Sequence, residues 1–168
     1  MTKNMLVVYY SWTNGNTRKI AEQLAAACGA DLERIDTVVP YPDDYDATVS
    51  QAQDEVNAGF KPEIKALEHD LANYDVVAIG TPTWWYTMAP AVKTFISNAN
   101  WEGKTVVAFS TSAGWPGSTN RDIQNAAIGA ATTMPSLEVT FDSSGGTEQK
   151  TPQADVDAWI AAVKESLD

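Results

Sequence analysis

The chain has 168 residues, with 22 acidic against 11 basic side chains and a formal net charge of -11. That length fits one domain, the 44% apolar content supports a core, and the acidity disfavours nucleic-acid binding. One cysteine and one histidine exclude a disulfide framework, a multi-cysteine metal site and a histidine-rich zinc site.

Residues 5–10 form a short apolar run rich in β-branched and aromatic side chains, which predicts a buried strand. The N-terminus carries no cleavable leader pattern, so the expectation is a cytoplasmic protein, and no apolar run is long enough to span a membrane. Residues 17–27 read as a helix with Ile20, Leu24 and Ala27 on one face, and 31–36 as a shorter strand nearer an edge. A polar excursion at 38–69 follows, opening on Pro40-Tyr41-Pro42-Asp43-Asp44 and containing a helix near 47–57. From Asp36 to Asp75 there are ten acids and two bases, Lys61 and Lys65. This stretch reads either as a solvated helical face or as an acidic docking surface.

Two further apolar runs, 75–80 and 105–110, predict central strands. Helices are expected at 89–98, with Pro90 in the first turn, and at 118–129, with Ser118 or Thr119 as cap. A last strand at 136–141 and a closing helix at 155–167 complete the chain. Near-continuous apolar strands alternating with helices imply a parallel sheet covered on both faces. The fold class is therefore α/β: a three-layer, doubly wound, five-stranded parallel sheet, in one domain spanning 1–168.

Ligands of open parallel sheets bind outside the carboxyl ends of the strands, where strand order reverses. Three loops leave the central strands on that side. They read Ser11-Trp12-Thr13-Asn14-Gly15-Asn16-Thr17, Thr81-Pro82-Thr83-Trp84-Trp85-Tyr86 and Thr111-Ser112-Ala113-Gly114-Trp115-Pro116-Gly117. Together they hold four of the six tryptophans and no charged residue. The first loop has the chemistry of an anion cradle: hydroxyls, a glycine for close backbone approach, and a helix start with its free N–H groups. Its ordinary reading is a capped strand-to-helix turn. Arg18 lies just inside that helix, where a long charged side chain commonly points to solvent. Neither G-x-x-x-x-G-K-[ST] nor G-x-G-x-x-G occurs. Trp84, Trp85 and Trp115 suit a slot for a planar aromatic ligand, or else bury against the excursion.

The first loop and the helix after it resemble the FMN phosphate loop of flavodoxins. The stretch 74–86 and residues 111–117 are similar in position to the two loops that flank the flavin in that family. Asn14 is an extra residue before Gly15 relative to the usual family loop. The resemblance implies strand order 2-1-3-4-5 and a non-covalently bound FMN held by the three loops. The third loop is less glycine-rich than in the family and is stiffened by Pro116, and its aromatic Trp115 is the first choice to flank the ring. It further implies a low-potential one-electron carrier working with redox partner proteins that present basic docking surfaces. The alternative is an FMN-dependent NAD(P)H or quinone oxidoreductase of the same fold, although no arginine cluster in the sequence marks an NADPH site. A regulatory domain of this fold would want an acidic pocket, and these loops carry no acid. No loop residue is a general base or nucleophile. His69 reads as an exposed structural residue and Cys28 as a packing residue. Oligomeric state stays open.

Overall fold

A computed structural model describes residues 2–12, 14–132, 134–142 and 146–168. Within them the chain runs β1 (Met5–Tyr9), α1 (Asn16–Cys28), β2 (Asp31–Arg34), α2 (Tyr45–Ala58), β3 (Val76–Trp84), β4 (Thr87–Met88), α3 (Pro90–Ser97), β5 (Thr105–Ser112), α4 (Thr119–Ala126), β6 (Leu137–Thr140) and α5 (Gln153–Ser166). The sheet order is β2-β1-β3-β5-β6, all parallel, with β4 attached to the end of β3 as an antiparallel tongue. Setting the tongue aside, this is the doubly wound order 2-1-3-4-5.

The sheet sorts its side chains by alternation, because successive residues of a strand face opposite sides. Val7, Tyr9, Val107 and Phe109 pack with Ile20 and Leu24 of α1 and Trp159 of α5. Leu6, Val8, Val77 and Ile79 pack on the other face with Val92 and Phe95 of α3 and Ile123 of α4. Each fully buried Leu or Ile here is worth about 1.5–3 kcal/mol relative to exposure. Gly80 is fixed by packing, since a Cβ on it would run into the Phe109 ring.

Several elements extend past their expected ends. β3 continues four residues beyond Gly80 because Thr83 and Trp84 pair with Met88 and Thr87, while Pro82 pairs with Thr111. β5 reaches Ser112, because its last four residues pair with β6. α4 stops at Ala126, short of Gly129. α2 begins at Tyr45, where the Asp44 carboxylate accepts the Ala47 N–H at 2.8 Å and Asp46 adds a favourable charge to the first turn.

The excursion leaves and returns beside β2. Thr37 bridges Ile64, Val38 N–H donates to the Glu63 carbonyl at 2.9 Å, and Lys65 N–H donates to the Asp36 carbonyl at 2.8 Å. The buried Glu33 carboxylate holds the returning segment by accepting the N–H groups of Glu68 and His69. His69 is half-buried rather than exposed, its Nδ1 lying 3.4 Å from Glu33 Oε2. Cys28 is half-buried against the core, and burial pushes its thiol up, which fits a packing role. No helix among the described residues is long and apolar enough to cross a membrane.

Candidate functional site

A cleft of about 400 Å³ opens at the carboxyl ends of β1, β3, β5 and β6. On the β1 side, Gly15 sits at φ 74 and caps α1, with Lys19 N–H donating to its carbonyl at 2.9 Å. Among the described residues, and its two chain neighbours aside, no atom lies within 4 Å of where a Gly15 Cβ would stand, so the backbone conformation, not space, selects glycine. The α1 start then presents Asn16 and Thr17 to the cleft beside Trp12 and Asn14. Thr17 and Thr111 join their hydroxyls at 2.8 Å in a buried contact, which ties the first loop to the third. Asn16 Nδ2 donates to the Gly146 carbonyl at 3.0 Å and brings in the segment after β6. The first turn of α1 contains no acid, so its N-terminal dipole is left uncompensated there. Thr13 lies outside the described residues.

On the β3 side, the tongue is built unusually. Trp85 and Tyr86 form its two-residue turn at φ 50 and φ 67. Two left-handed residues match the twist of a tight hairpin, but the position normally takes Asn-Gly. Each non-glycine residue there costs about 1–2 kcal/mol. Two hydrogen bonds and one clearance offset that strain. Trp85 Nε1–H donates to the Val49 carbonyl of α2 at 3.0 Å. Ser118 N–H donates to the Tyr86 carbonyl at 3.1 Å. Gly117, itself at φ 55, has no side chain to collide with Tyr86.

The cleft unites Trp12, Asn14, Asn16 and Thr17 with Pro82, Thr83, Trp84, Trp85 and Tyr86, and with Thr111, Ser112, Ala113 and Trp115. Five expected residues stand behind or beside it. Ser11 is buried, and its Oγ accepts the Arg18 N–H at 3.4 Å. Gly15 lines a neighbouring polar pocket. Thr81 is fully buried, its hydroxyl accepting the Ala89 N–H at 3.0 Å and donating to the Pro82 carbonyl at 2.8 Å. Gly114 closes a turn on Ser112 Oγ, and Gly117 supports Tyr86.

The tryptophans divide. Trp84 meets Tyr41 of the excursion edge-on at 5.1 Å, Tyr10 at 5.7 Å and Trp12 at 5.8 Å, while Trp12 stacks on Tyr45. For Trp12 and Trp84, burial against the excursion and a place in the cleft wall hold together. Tyr86 and Trp115 are 60% and 62% exposed, so the mouth of the cleft is edged with uncovered aromatic surface.

Seven lining residues lay outside the three loops: Tyr45, Thr48, Val49 and Ala52 of α2, and Phe141, Asp142 and Gly146 after β6. Thus the excursion walls the cleft and is more than a solvated face. Asp142 also brings a carboxylate to a site whose loops are uncharged, and it accepts the Glu148 N–H at 3.0 Å. In the neighbouring pocket, Arg18, Arg34 and Lys65 converge with Asp36 and Asp43. Arg18 is held by Glu22 at 2.7 Å and Arg34 by Asp36 at 3.1 Å.

A doubly wound parallel sheet with its cleft at the β1/β3 reversal is the flavodoxin-like architecture. A model of the flavodoxin family matches residues 4–159, and the chain belongs to that family. The solved structure of a Bacteroides eggerthii DSM 20697 protein is similar at 30% identity, covering 95% of this chain and 96% of that one with a TM-score of 0.75. A flavoprotein from Lactobacillus acidophilus NCFM, solved in complex with FMN, is 28% identical over 94% of this chain and 98% of its own, with a TM-score of 0.70. An NAD(P)H dehydrogenase (quinone) of Cupriavidus metallidurans is 33% identical over 119 residues, 65% of this chain. That match spans 56% of the Cupriavidus protein's length.

Proposed function

We propose that the cleft binds FMN non-covalently and that the protein is a low-potential one-electron carrier. The observation that carries this reading is the joining of two chemistries in one cleft. An anion-ready helix start, bearing Asn16 and Thr17 and linked by hydroxyls to Thr111, adjoins walls made by Trp84, Trp85, Tyr86 and Trp115. The first suits a phosphate through amides and hydroxyls. The second suits a flat ring system. Asn14, Asn16 and Thr17 would hold the phosphate end, and the aromatic walls the ring.

When bound, FMN supplies the electron-transfer chemistry, and the protein tunes it. Apolar walls exclude water. Asp142 and the net charge of -11 oppose further negative charge in the cleft, which favours a low potential. The same acidity favours redox partners with basic docking surfaces.

A second reading, an FMN-dependent NAD(P)H or quinone oxidoreductase, is favoured by the similarity to the Cupriavidus quinone dehydrogenase. The uncovered Tyr86 and Trp115 would give a planar acceptor a landing surface. Titration of purified protein with FMN, followed by flavin fluorescence, tests the cofactor. Failure to bind sinks both readings. Steady-state assay with NADH or NADPH and a quinone separates them, since rapid turnover by the protein alone would exclude a dedicated shuttle.

A further inference from the structure

Behind the cleft wall, Trp84 touches Tyr41, and Tyr41 hydroxyl donates to Glu55 Oε1 at 2.9 Å. We propose that these three residues form a relay that fills an electron vacancy created at the cleft, Tyr41 supplying the electron and Glu55 taking its proton. The relay rests on the FMN reading for its natural oxidant, a light-excited flavin ring.

The geometry orders the three. Trp84 lines the cleft, and Tyr41 does not. The Trp84 and Tyr41 ring centroids are 5.1 Å apart, the shortest of the four aromatic contacts that Trp84 and Tyr10 make in this cluster. Of the three tyrosines in the cluster, Tyr10, Tyr41 and Tyr45, Tyr41 is the one seen hydrogen-bonded to a carboxylate among the described residues.

Glu55 has no part in the cleft wall, although it follows Ala52 by one helical turn on the same face of α2. It is 8% exposed, and its Oε2 is buried without a hydrogen-bond partner among the described residues. The Glu55 oxygen that already accepts the phenol O–H is the base placed to receive its proton. Burial, and then the hydrogen bond to Glu55 and its charge, hold the Tyr41 phenol well above its ordinary value, so it keeps its proton until oxidised.

The step balances. Trp84 loses one electron to the excited ring, which is reduced by one electron. Tyr41 passes one electron to Trp84, which is restored. The Tyr41 O–H bond breaks and an O–H bond forms on Glu55 Oε1, leaving a neutral tyrosyl radical and a neutral carboxylic acid. Return of the electron to Tyr41 and of the proton from Glu55 resets the site, so the light energy is discharged without net chemistry.

The test has two arms, on wild type, Tyr41→Phe, Glu55→Gln and Trp84→Phe. In the first, FMN-loaded protein is flashed with blue light and the tryptophanyl and tyrosyl absorption bands are followed. In the second, FMN-free protein is oxidised at tryptophan by azide radicals in pulse radiolysis. The expected result is conversion of tryptophanyl into tyrosyl radical in wild type and loss of that component in Tyr41→Phe and Trp84→Phe. Glu55→Gln keeps a hydrogen-bond acceptor of the same size but is no base. It should slow the conversion on the order of a hundredfold. A purely structural Tyr41–Glu55 contact would leave the Glu55→Gln rate unchanged, and that result overturns the relay. It is equally overturned if FMN binds and wild type gives no tyrosyl radical. If FMN does not bind while the radiolysis conversion still needs Tyr41 and Glu55, the relay stands and the cofactor reading falls.

Discussion

Gly117 and Tyr86 meet where two requirements collide. Both backbones are left-handed, and a side chain on Gly117 would occupy the space of the Tyr86 carbonyl and Cβ. Gly117→Ala adds strain at its own φ and pushes the tongue away from the third loop. The expected cost is about 2–3 kcal/mol in urea unfolding, with weaker FMN binding in the same protein. The tyrosines make a separate prediction. Tyr74 donates to Asp31 Oδ2 at 2.5 Å, and that bond pushes its phenol up to about 12 from 10.0. Burial raises Tyr10, and burial with the Glu55 contact raises Tyr41, further still. A group whose folded value is raised lends its full stability below the unfolded value and loses it as pH climbs to the folded one. The urea midpoint should therefore fall as pH rises from about 10 towards 12 and continue falling above. Tyr74→Phe should flatten the first part of that decline.

Among the elements, the contact between α2 and the tongue is the one that shapes the cleft. Trp85→Phe deletes the N–H that reaches the Val49 carbonyl, at a cost of about 1 kcal/mol. Hydrogen exchange in α2 should quicken, and FMN should dissociate faster. The sequence carried the strands well, because Leu6 to Tyr9, Val76 to Ile79 and Val106 to Phe109 are buried on both faces and so read as unbroken apolar runs. It carried the tongue poorly. Trp85-Tyr86 is no turn dipeptide, and the tertiary contacts that tolerate it lie far away in the chain. The helix near 47–57 was legible, but its place in the cleft wall was not, since the buried face of α2 is Thr48, Ala52 and Glu55, with no large apolar residue to mark it. Asp142 and Gly146 had a usable signal. All strands of a parallel sheet end on one edge, so the segment after the last strand belonged with the other three loops.

For the molecule as a whole, charge is the organising quantity. The cleft is lined by uncharged donors and aromatic rings, with Asp142 at one wall and a net charge of -11 around it. Asp142→Asn removes one opposing charge, so potentiometry of the FMN-loaded protein should show a shift to higher potential by tens of millivolts, larger at low salt. An unchanged potential would assign the tuning to the aromatic walls alone.

The sheet order also governs how the chain reaches this state. β1 is synthesised first yet lies between two partners. Leu6 finds Asp31 soon afterwards, but its other neighbour, Val77, arrives only after the whole excursion. Non-local parallel pairing of this kind is slow to form, because loop closure comes before the contacts that reward it. One edge of β1 stays open on the nascent chain until α2 and β3 have emerged, an interval suited to chaperone capture. The segment that walls the mature cleft is thus also the loop whose closure times the pairing of β1 with β3.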